Sequence, residues 1–269
     1  MSERSPITIK IAQTLINILP KNNVLNSFAT MYINKYHNYS NIDMHTNGEY
    51  RWLKQVIESE TNPVVFDVGA NMGKWTKIIL SLNSSAVVHA FEPTPTIFEQ
   101  LSQQQFPPQV HLNHLGLGDK KTILPFYEYD AHTHNSFHQS HIQPYQRVVD
   151  VQIDTLNNYC SQMGIDNIRY LKIDTEGNDY FVLLGAKSLL EQEKIDVIQF
   201  EYGSKYIDAR VFLKDVFTFI EPLNYSIYKI MQKNLLHLPQ YANQYEKFVY
   251  SNYTIVHNRI AETLGLAHR

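Results

Sequence analysis

The spacing of apolar positions changes character once along the chain, at Thr61-Asn62-Pro63. Before that break the spacing is helical. Ile11, Leu15 and Ile18 share a face within Ile7–Leu19, and Trp52, Leu53, Val56 and Ile57 form a stripe within Tyr50–Glu58. After it, short apolar runs alternate with helical stretches. Val64–Val68 reads as a strand buried on both faces, Gly69–Gly73 as a turn, and Lys74–Leu82 as a helix. Ala86–Phe91 and Val110–Asn113 read as further strands, and Thr94 as the cap of the helix after the first of them. Thr122–Tyr129 alternates like an exposed strand, and the histidine-rich segment behind it has loop composition. Ile168–Ile173 and Ile195–Phe200 are buried strands flanking a helical stretch, Asp179–Leu190. Tyr225–Ile230 and Phe248–Val256 close the set. Strands alternating with helices predict an α/β fold, a mostly parallel sheet wound on both faces, with antiparallel strands at its C-terminal edge. The expected organisation is a helical cap over 1–62, an α/β domain over 63–258 and a tail over 259–269.

Composition changes this picture little. Of 269 residues 43% are hydrophobic, enough for a substantial core. The single cysteine, Cys160, excludes an internal disulfide and points to the cytoplasm. A net charge of −3 argues against a nucleic-acid binder that relies on bulk positive charge. Ile7–Leu19 is too short to span a bilayer and lacks a cleavage pattern, so stable membrane insertion is not expected. Its apolar face suits packing or a homodimer contact, with an interfacial anchor as the alternative.

In sheets of this kind ligands bind beyond the carboxyl ends of the strands, where strand order reverses. The relevant ends are Asp67–Gly73, Phe91-Glu92-Pro93, Leu115-Gly116 and Asp174–Gly177. Gly69 and Gly73 permit a tight turn, and a helix starting behind them points free N–H groups at an anion. Glu92, 19 residues past Gly73, is placed to accept both hydroxyls of a ribose. A dinucleotide fingerprint has a glycine where Asn71 stands, and Asn71 suits the amino-acid end of S-adenosylmethionine better than a diphosphate.

These segments resemble the FkbM family of S-adenosylmethionine-dependent methyltransferases. The resemblance rests on Phe66–Gly73, Ala90–Pro93, Leu171–Gly177 and Gln199–Gly203, with Asn47-Gly48-Glu49 and Phe248–Tyr253 beyond them. It covers the chain from about Asn47 to Val256. It implies a Rossmann-like class I methyltransferase fold and methyl transfer, usually to oxygen, on sugars, polyketides and other natural products. It places S-adenosylmethionine against Gly69, Asn71, Gly73, Glu92 and Asp174. The expected cofactor contacts also include Glu49, Asp67, Ala70, Trp75, Pro93, Leu115, Gly116 and Ser136. Thr155-Leu156-Asn157 departs from the family's frequent Thr-Leu-Asp.

Methyl transfer from a sulfonium is an in-line displacement that depends on positioning, and no metal is demanded. A hydroxyl acceptor has a proton to lose, which a general base would take; a carboxylate acceptor has none. Asp174 and Glu176 are the candidates for that work, with the alternative that they orient the cofactor and cap the next helix. Glu201 either faces the same cleft or pairs with Arg210. His134, His138 and His141 would share a face if helical, which is a metal-ligand spacing without an acidic or cysteine partner. The segment otherwise reads as a substrate-facing lid with a catalytic histidine, His134, or as a plain solvated loop, with Asn135 and Ser136 approaching the cofactor from it. Most of the C-terminal tyrosines read as packing, and Lys229, Lys233 and Lys247 as surface. Two rivals stay open: an NAD(P)-dependent oxidoreductase or epimerase, and a non-catalytic scaffold.

Overall fold

The centre of the molecule's sheet is β1 (Val64–Val68), in which Val65 packs into the apolar layer on one face and Phe66 into the layer on the other. A strand covered on both sides has no polar face to present, which is why its sequence is a continuous apolar run. The structure is a computed structural model that describes residues 10, 13–14, 16–19, 21–129, 135–139 and 144–266. Contacts divide the chain into two units, Met1–Tyr39 and Ser40–Arg269.

In the first unit α1 (Asn23–His37) is capped by Asn22, whose Oδ1 accepts from the Val24 and Leu25 amides at 2.8 and 3.3 Å. It exposes Phe28, Met31, Tyr32 and Tyr36. Part of Ile7–Leu19, including Ile11 and Leu15 of its apolar face, lies outside the described residues.

The second unit begins with α2 (Met44–Asn47) and α3 (Glu49–Ile57). Its main sheet adds β2 (Val87–Phe91), β3 (Val110–Asn113), β7 (Ile168–Ile173), β8 (Ile195–Tyr202), β9 (Tyr225–Ile230), β10 (Leu235–His237) and β11 (Ser251–His257). The order is β10-β9-β11-β8-β7-β1-β2-β3. β3, β2, β1, β7 and β8 are mutually parallel, while β11 runs antiparallel to both β8 and β9. This is the expected parallel sheet with an antiparallel C-terminal edge. Strand order reverses between β1 and β7, so the crevice opens at their carboxyl ends.

On one face α3 packs with α4 (Lys74–Leu82) and α11 (Asn258–Thr263), burying Trp52, Leu53, Ile79 and Ile260. The Trp52 indole N–H donates to Thr254 Oγ1 at 3.1 Å, tying α3 to β11. On the other face lie α6 (Leu156–Met163), α7 (Asp179–Gly185), α8 (Lys187–Glu191) and α10 (Leu213–Ile220). The residues before β1 thus belong to the α/β unit from Ser40 onward, and Ile260 and Ala261 are buried where the sequence suggests a tail. The helix expected over Asp179–Leu190 is two, interrupted at Ala186; Gly185, which ends the first, lets the Gly118 carbonyl approach to where a Cβ would lie only 2.0 Å from its oxygen.

A second, three-stranded sheet stands apart from the first. β5 (Thr122–Glu128) pairs antiparallel with β6 (Arg147–Asp154), and β4 (Gly116–Leu117) runs parallel to β6. Phe126, Val151 and Ile153 form its small core. Lys229, expected at the surface, is buried in β9 over the ring of Tyr253, because the strand's alternation turns it inward. Burial pushes its ammonium down to about 7.

Candidate active site

The turn after β1 is held from both sides. The Gly69 and Ala70 amides donate to the Phe91 carbonyl at 3.0 and 2.9 Å, so the turn is clamped to the end of β2. Asn71 takes a left-handed conformation, φ 48°, and its own Oδ1 accepts from the Met72 amide at 2.8 Å. A short polar side chain that bonds its neighbouring amide is what makes that conformation tolerable for a non-glycine residue. Gly69 has φ +86°, and a Cβ there would lie 1.9 Å from the Asp174 carbonyl oxygen. The glycine is required by the close approach of the β7 end rather than by a ligand.

Glu92 is buried at the floor of the crevice. One carboxylate oxygen accepts from the Asn71 amide at 3.0 Å, the other from the Thr94 amide at 2.9 Å. Thr94 precedes α5 (Pro95–Ser102), so this carboxylate braces two turns at once. Burial pushes its pKa up, and the amide bonds work against that push. Each oxygen keeps a lone pair for a further donor, such as a hydroxyl.

Above Glu92 lies a cleft of about 610 Å³, within the size range of small-molecule sites. Gly69, Asn71, Glu92, Pro93, Leu115 and Gly116 line it on one side, Asp174 and Glu176 on the other. A smaller cavity of about 130 Å³ opens beside it, lined by Glu49, Trp75, Lys172 and Gln199, and Asp174, Glu201, Lys74 and Tyr250 border both. Asp67, Ala70 and Gly73 line neither. Asp67 lies fully buried behind the turn, accepting from Thr76 Oγ1 at 2.8 Å and so joining β1 to the first turn of α4. Ser136 is also buried, its hydroxyl donating to the Glu176 carbonyl at 2.8 Å. His134 and His141 lie outside the described residues.

Glu49 is engaged on every side. It accepts from Gln199 Nε2 at 2.6 Å, from Asn252 Nδ2 at 2.8 Å and from the Asn47 amide group. Lys172 is the residue that sequence reading passed over. Its ammonium lies 2.8 Å from Asp174 Oδ2 and 5.1 Å from the centre of the Trp75 ring. Burial alone would depress it, but Asp174, Asp67 and Glu49 together hold it above its ordinary range, and so charged. The signal was a lysine in the apolar second half of β7, two residues before Asp174 and therefore on the same face.

One side of the cleft is rich in carboxyl groups. Burial and the neighbouring Asp174 raise Glu176 to about 8 and Asp179 to about 7. Burial and the charges of Asp174, Glu176 and Asp179 also push Glu201 well above the ordinary carboxylate range. Among the described residues no ion pair joins Glu201 to Arg210. Nor do the described residues contain a group of three or more side chains placed to hold a metal ion. Asn157, where the family often has Asp, accepts from the Leu189 amide at 3.1 Å and so anchors α8.

The chemistry of the donor set fits S-adenosylmethionine. A buried carboxylate, Glu92, keeps lone pairs for hydroxyl donors, apolar side chains line the cleft beside it, and further carboxyl groups line the same cleft. A sheet ordered in this way, with a carboxylate-braced turn at its switch point, defines an S-adenosylmethionine-dependent methyltransferase of the Rossmann-like class I fold. Residues 67–246 match the methyltransferase FkbM domain, and the chain belongs to that family. This assignment removes the dinucleotide and scaffold readings. The chain is 23% identical over 171 residues to the 2-O-methyltransferase NoeI of Sinorhizobium fredii, covering 58% of this chain and 69% of that protein. Among solved structures, a SAM-dependent methyltransferase from Agrobacterium tumefaciens aligns at 7% identity and a TM-score of 0.42, over 78% of this chain and 61% of that one. M. capricolum TrmK, in complex with S-adenosylhomocysteine, aligns at 12% identity and a TM-score of 0.42, over 78% and 68% of the two chains.

Proposed function

We propose that the protein methylates a hydroxyl oxygen of a neutral small molecule, a saccharide or another polyhydroxylated natural product. The observation that carries this reading is the group of carboxyls, Asp174, Glu176, Asp179 and Glu201, around one side of the cleft. Carboxyl groups accept hydrogen bonds from hydroxyls, and one of them can take the proton that an alcohol loses. A carboxylate acceptor would bring a further acid to a wall that already crowds four, which argues against a carboxyl oxygen as the methylated atom.

S-adenosylmethionine, when bound, supplies a methyl group made electrophilic by the sulfonium. Glu92 would accept from the ribose hydroxyls while its backbone bonds keep the turn in place. Lys172 pairs with Asp174 at the point where the two cavities meet, and Glu176, once ionised, would accept a proton from the acceptor. The raised affinity of Glu176 for a proton makes it a stronger base once ionised than an ordinary carboxylate. Asp174 and Glu176 are thus the catalytic residues of this reading, and His134 stays a proposal from the sequence. The low net charge fits a small-molecule acceptor rather than a nucleic acid. The unpaired, buried Cys160 fits the cytoplasm, and the exposed apolar side chains of α1 fit a homodimer. Among the described residues no helix is long and apolar enough to cross a membrane.

The test pairs cofactor binding with acceptor choice. Calorimetry should give S-adenosylhomocysteine binding that Glu92→Ala weakens roughly a hundredfold, as expected for the loss of charge-assisted hydrogen bonds. Radiolabelled S-adenosylmethionine should then transfer its methyl group to members of a glycoside and polyol panel. Label found only on carboxylic acids would overturn the hydroxyl assignment.

A further inference from the structure

α1 is a helix without a core. None of its residues is buried, and Phe28 is 65% and Tyr36 66% exposed. Successive residues of a helix are turned by about 100°. Val24, Leu25, Phe28, Met31, Tyr32 and Tyr36 therefore fall on one broad side, and Asn23, Asn26, Ser27, Thr30 and Asn34 on the other. The rings of Tyr32 and Tyr36 stack along the apolar side, 6.3 Å between centres. So many large apolar side chains left in water on one element mark a contact surface.

Charge decides what covers it. Between Glu3 and Asp43 the chain has no Asp or Glu, while Arg4, Lys10, Lys21 and Lys35 lie in that interval. Residues 43–269 carry 25 acidic against 19 basic residues, so this is a basic segment of a net acidic chain. A second copy of the segment would set these cations against their own kind, with no acid to offset them. The head groups of anionic phospholipids offset them all, which favours lipid over the dimer contact that the same face would also fit. Lys35 falls among the apolar side chains, where a lysine buries its stem and lifts its ammonium to the head groups. Tyrosine suits the same boundary, with an apolar ring and a polar hydroxyl.

We propose that α1 lies in the plane of an anionic phospholipid bilayer, with the side that carries Phe28, Tyr32 and Tyr36 turned into it and the amide- and hydroxyl-bearing side in water. Its 15 residues are too few to cross a bilayer, and its attachment is that of a surface helix held by apolar area and charge together. The chain then enters the α/β unit beside the cleft. Ile42, five residues past the end of α1, lines it, and the Ser40 amide donates to the carbonyl of Tyr250, another lining residue, at 3.0 Å. A docked α1 thus tethers the enzyme by the end of the chain that leads to the cleft.

The test is co-sedimentation of the full chain with vesicles of equal parts phosphatidylcholine and phosphatidylglycerol, against vesicles of phosphatidylcholine alone. Binding is expected on the first, weaker on the second, and falling as salt rises. Phe28→Ser with Tyr32→Ser should weaken binding to the mixed vesicles about tenfold or more, through lost apolar burial. Lys21→Glu with Lys35→Glu should remove the preference for anionic lipid. Neither pair lines the cleft, so calorimetric titration with S-adenosylhomocysteine should be unchanged in both and reports that each variant is folded. If one pair does not fold, the other decides. Wild-type protein that binds neither kind of vesicle, or binds both equally, would overturn the proposal, as would undiminished binding by the variant lacking Phe28 and Tyr32. A dimer in sedimentation equilibrium that those two changes dissociate, without vesicle binding, would assign the face to a second copy and overturn it as well.

Discussion

A methyl group at Gly69 would have nowhere to go. The backbone there has φ +86°, and the atom would overlap the Asp174 carbonyl oxygen at 1.9 Å, so both the strain and the clash fall on the joint between β1 and β7. Gly69→Ala is expected to cost about 3 kcal/mol or more, read as a lower midpoint in denaturant, together with loss of S-adenosylhomocysteine binding. Unchanged stability would mean that the turn has another conformation open to it. At this scale the sequence was legible wherever chemistry is local to one strand end. Asn71, Glu92 and Asp174 could be placed because each sits at a fixed step past an apolar run. Lys172 could not, and Glu201 stayed between two readings, since their roles depend on which residues of other strands face them: Lys172 on Glu49 and Asp67, Glu201 on Asp174 and Glu176.

Among the elements, α3 is the one whose placement matters most for reading the N-terminal part of the chain. Its stripe of Trp52, Leu53, Val56 and Ile57 is fully withdrawn from water, and the Trp52 indole bonds Thr254 in the neighbour of β8. Trp52→Ala is expected to destabilise the α/β unit by about 3–5 kcal/mol, whereas a residue of a loosely attached cap would cost much less. Equilibrium unfolding followed by circular dichroism distinguishes the two. The helical stripe was legible from its 3.6-residue spacing, but the surface it meets was not, because a stripe does not name its partner. β6 shows the opposite failure. Val149, Val151 and Ile153 alternate with Asp150, Gln152 and Asp154, a period-2 pattern in plain view. It went unread because the preceding stretch has loop composition and separates it from β5, its antiparallel mate.

For the molecule as a whole, the carboxyl groups gathered at the ends of β7 and β8 make stability depend on pH. Glu176 and Asp179 bind protons more tightly in the folded chain, at about 8 and about 7, than the ordinary carboxylates of an unfolded one. The folded state therefore holds protons that the unfolded state has already released. The contribution of these groups is complete below the ordinary carboxylate range and is lost as pH rises through 7 and 8. The ligand-free protein should thus melt several degrees lower at pH 8 than at pH 5.5, a shift that corresponds to about 1 kcal/mol or more. Glu176→Gln should flatten the fall and be the more stable protein at pH 8. A wild-type melting temperature that rises across this interval would contradict the electrostatics. The sequence shows Asp174, Glu176 and Asp179 close together, but not their burial or the approach of Glu201 from β8, which only folding supplies.

The hairpin of β5 and β6 is spliced between β3 and β7 without entering the main sheet, and its packing is largely its own, around Phe126, Val151 and Ile153. Lengthening, shortening or exchanging it leaves every hydrogen-bonded neighbour in the eight-stranded sheet unchanged. Natural variation can therefore remodel this wall of the cleft through insertions and deletions that would be lethal elsewhere in the fold. Exchanging hairpins between relatives is then a direct way to graft one enzyme's selectivity onto another's framework.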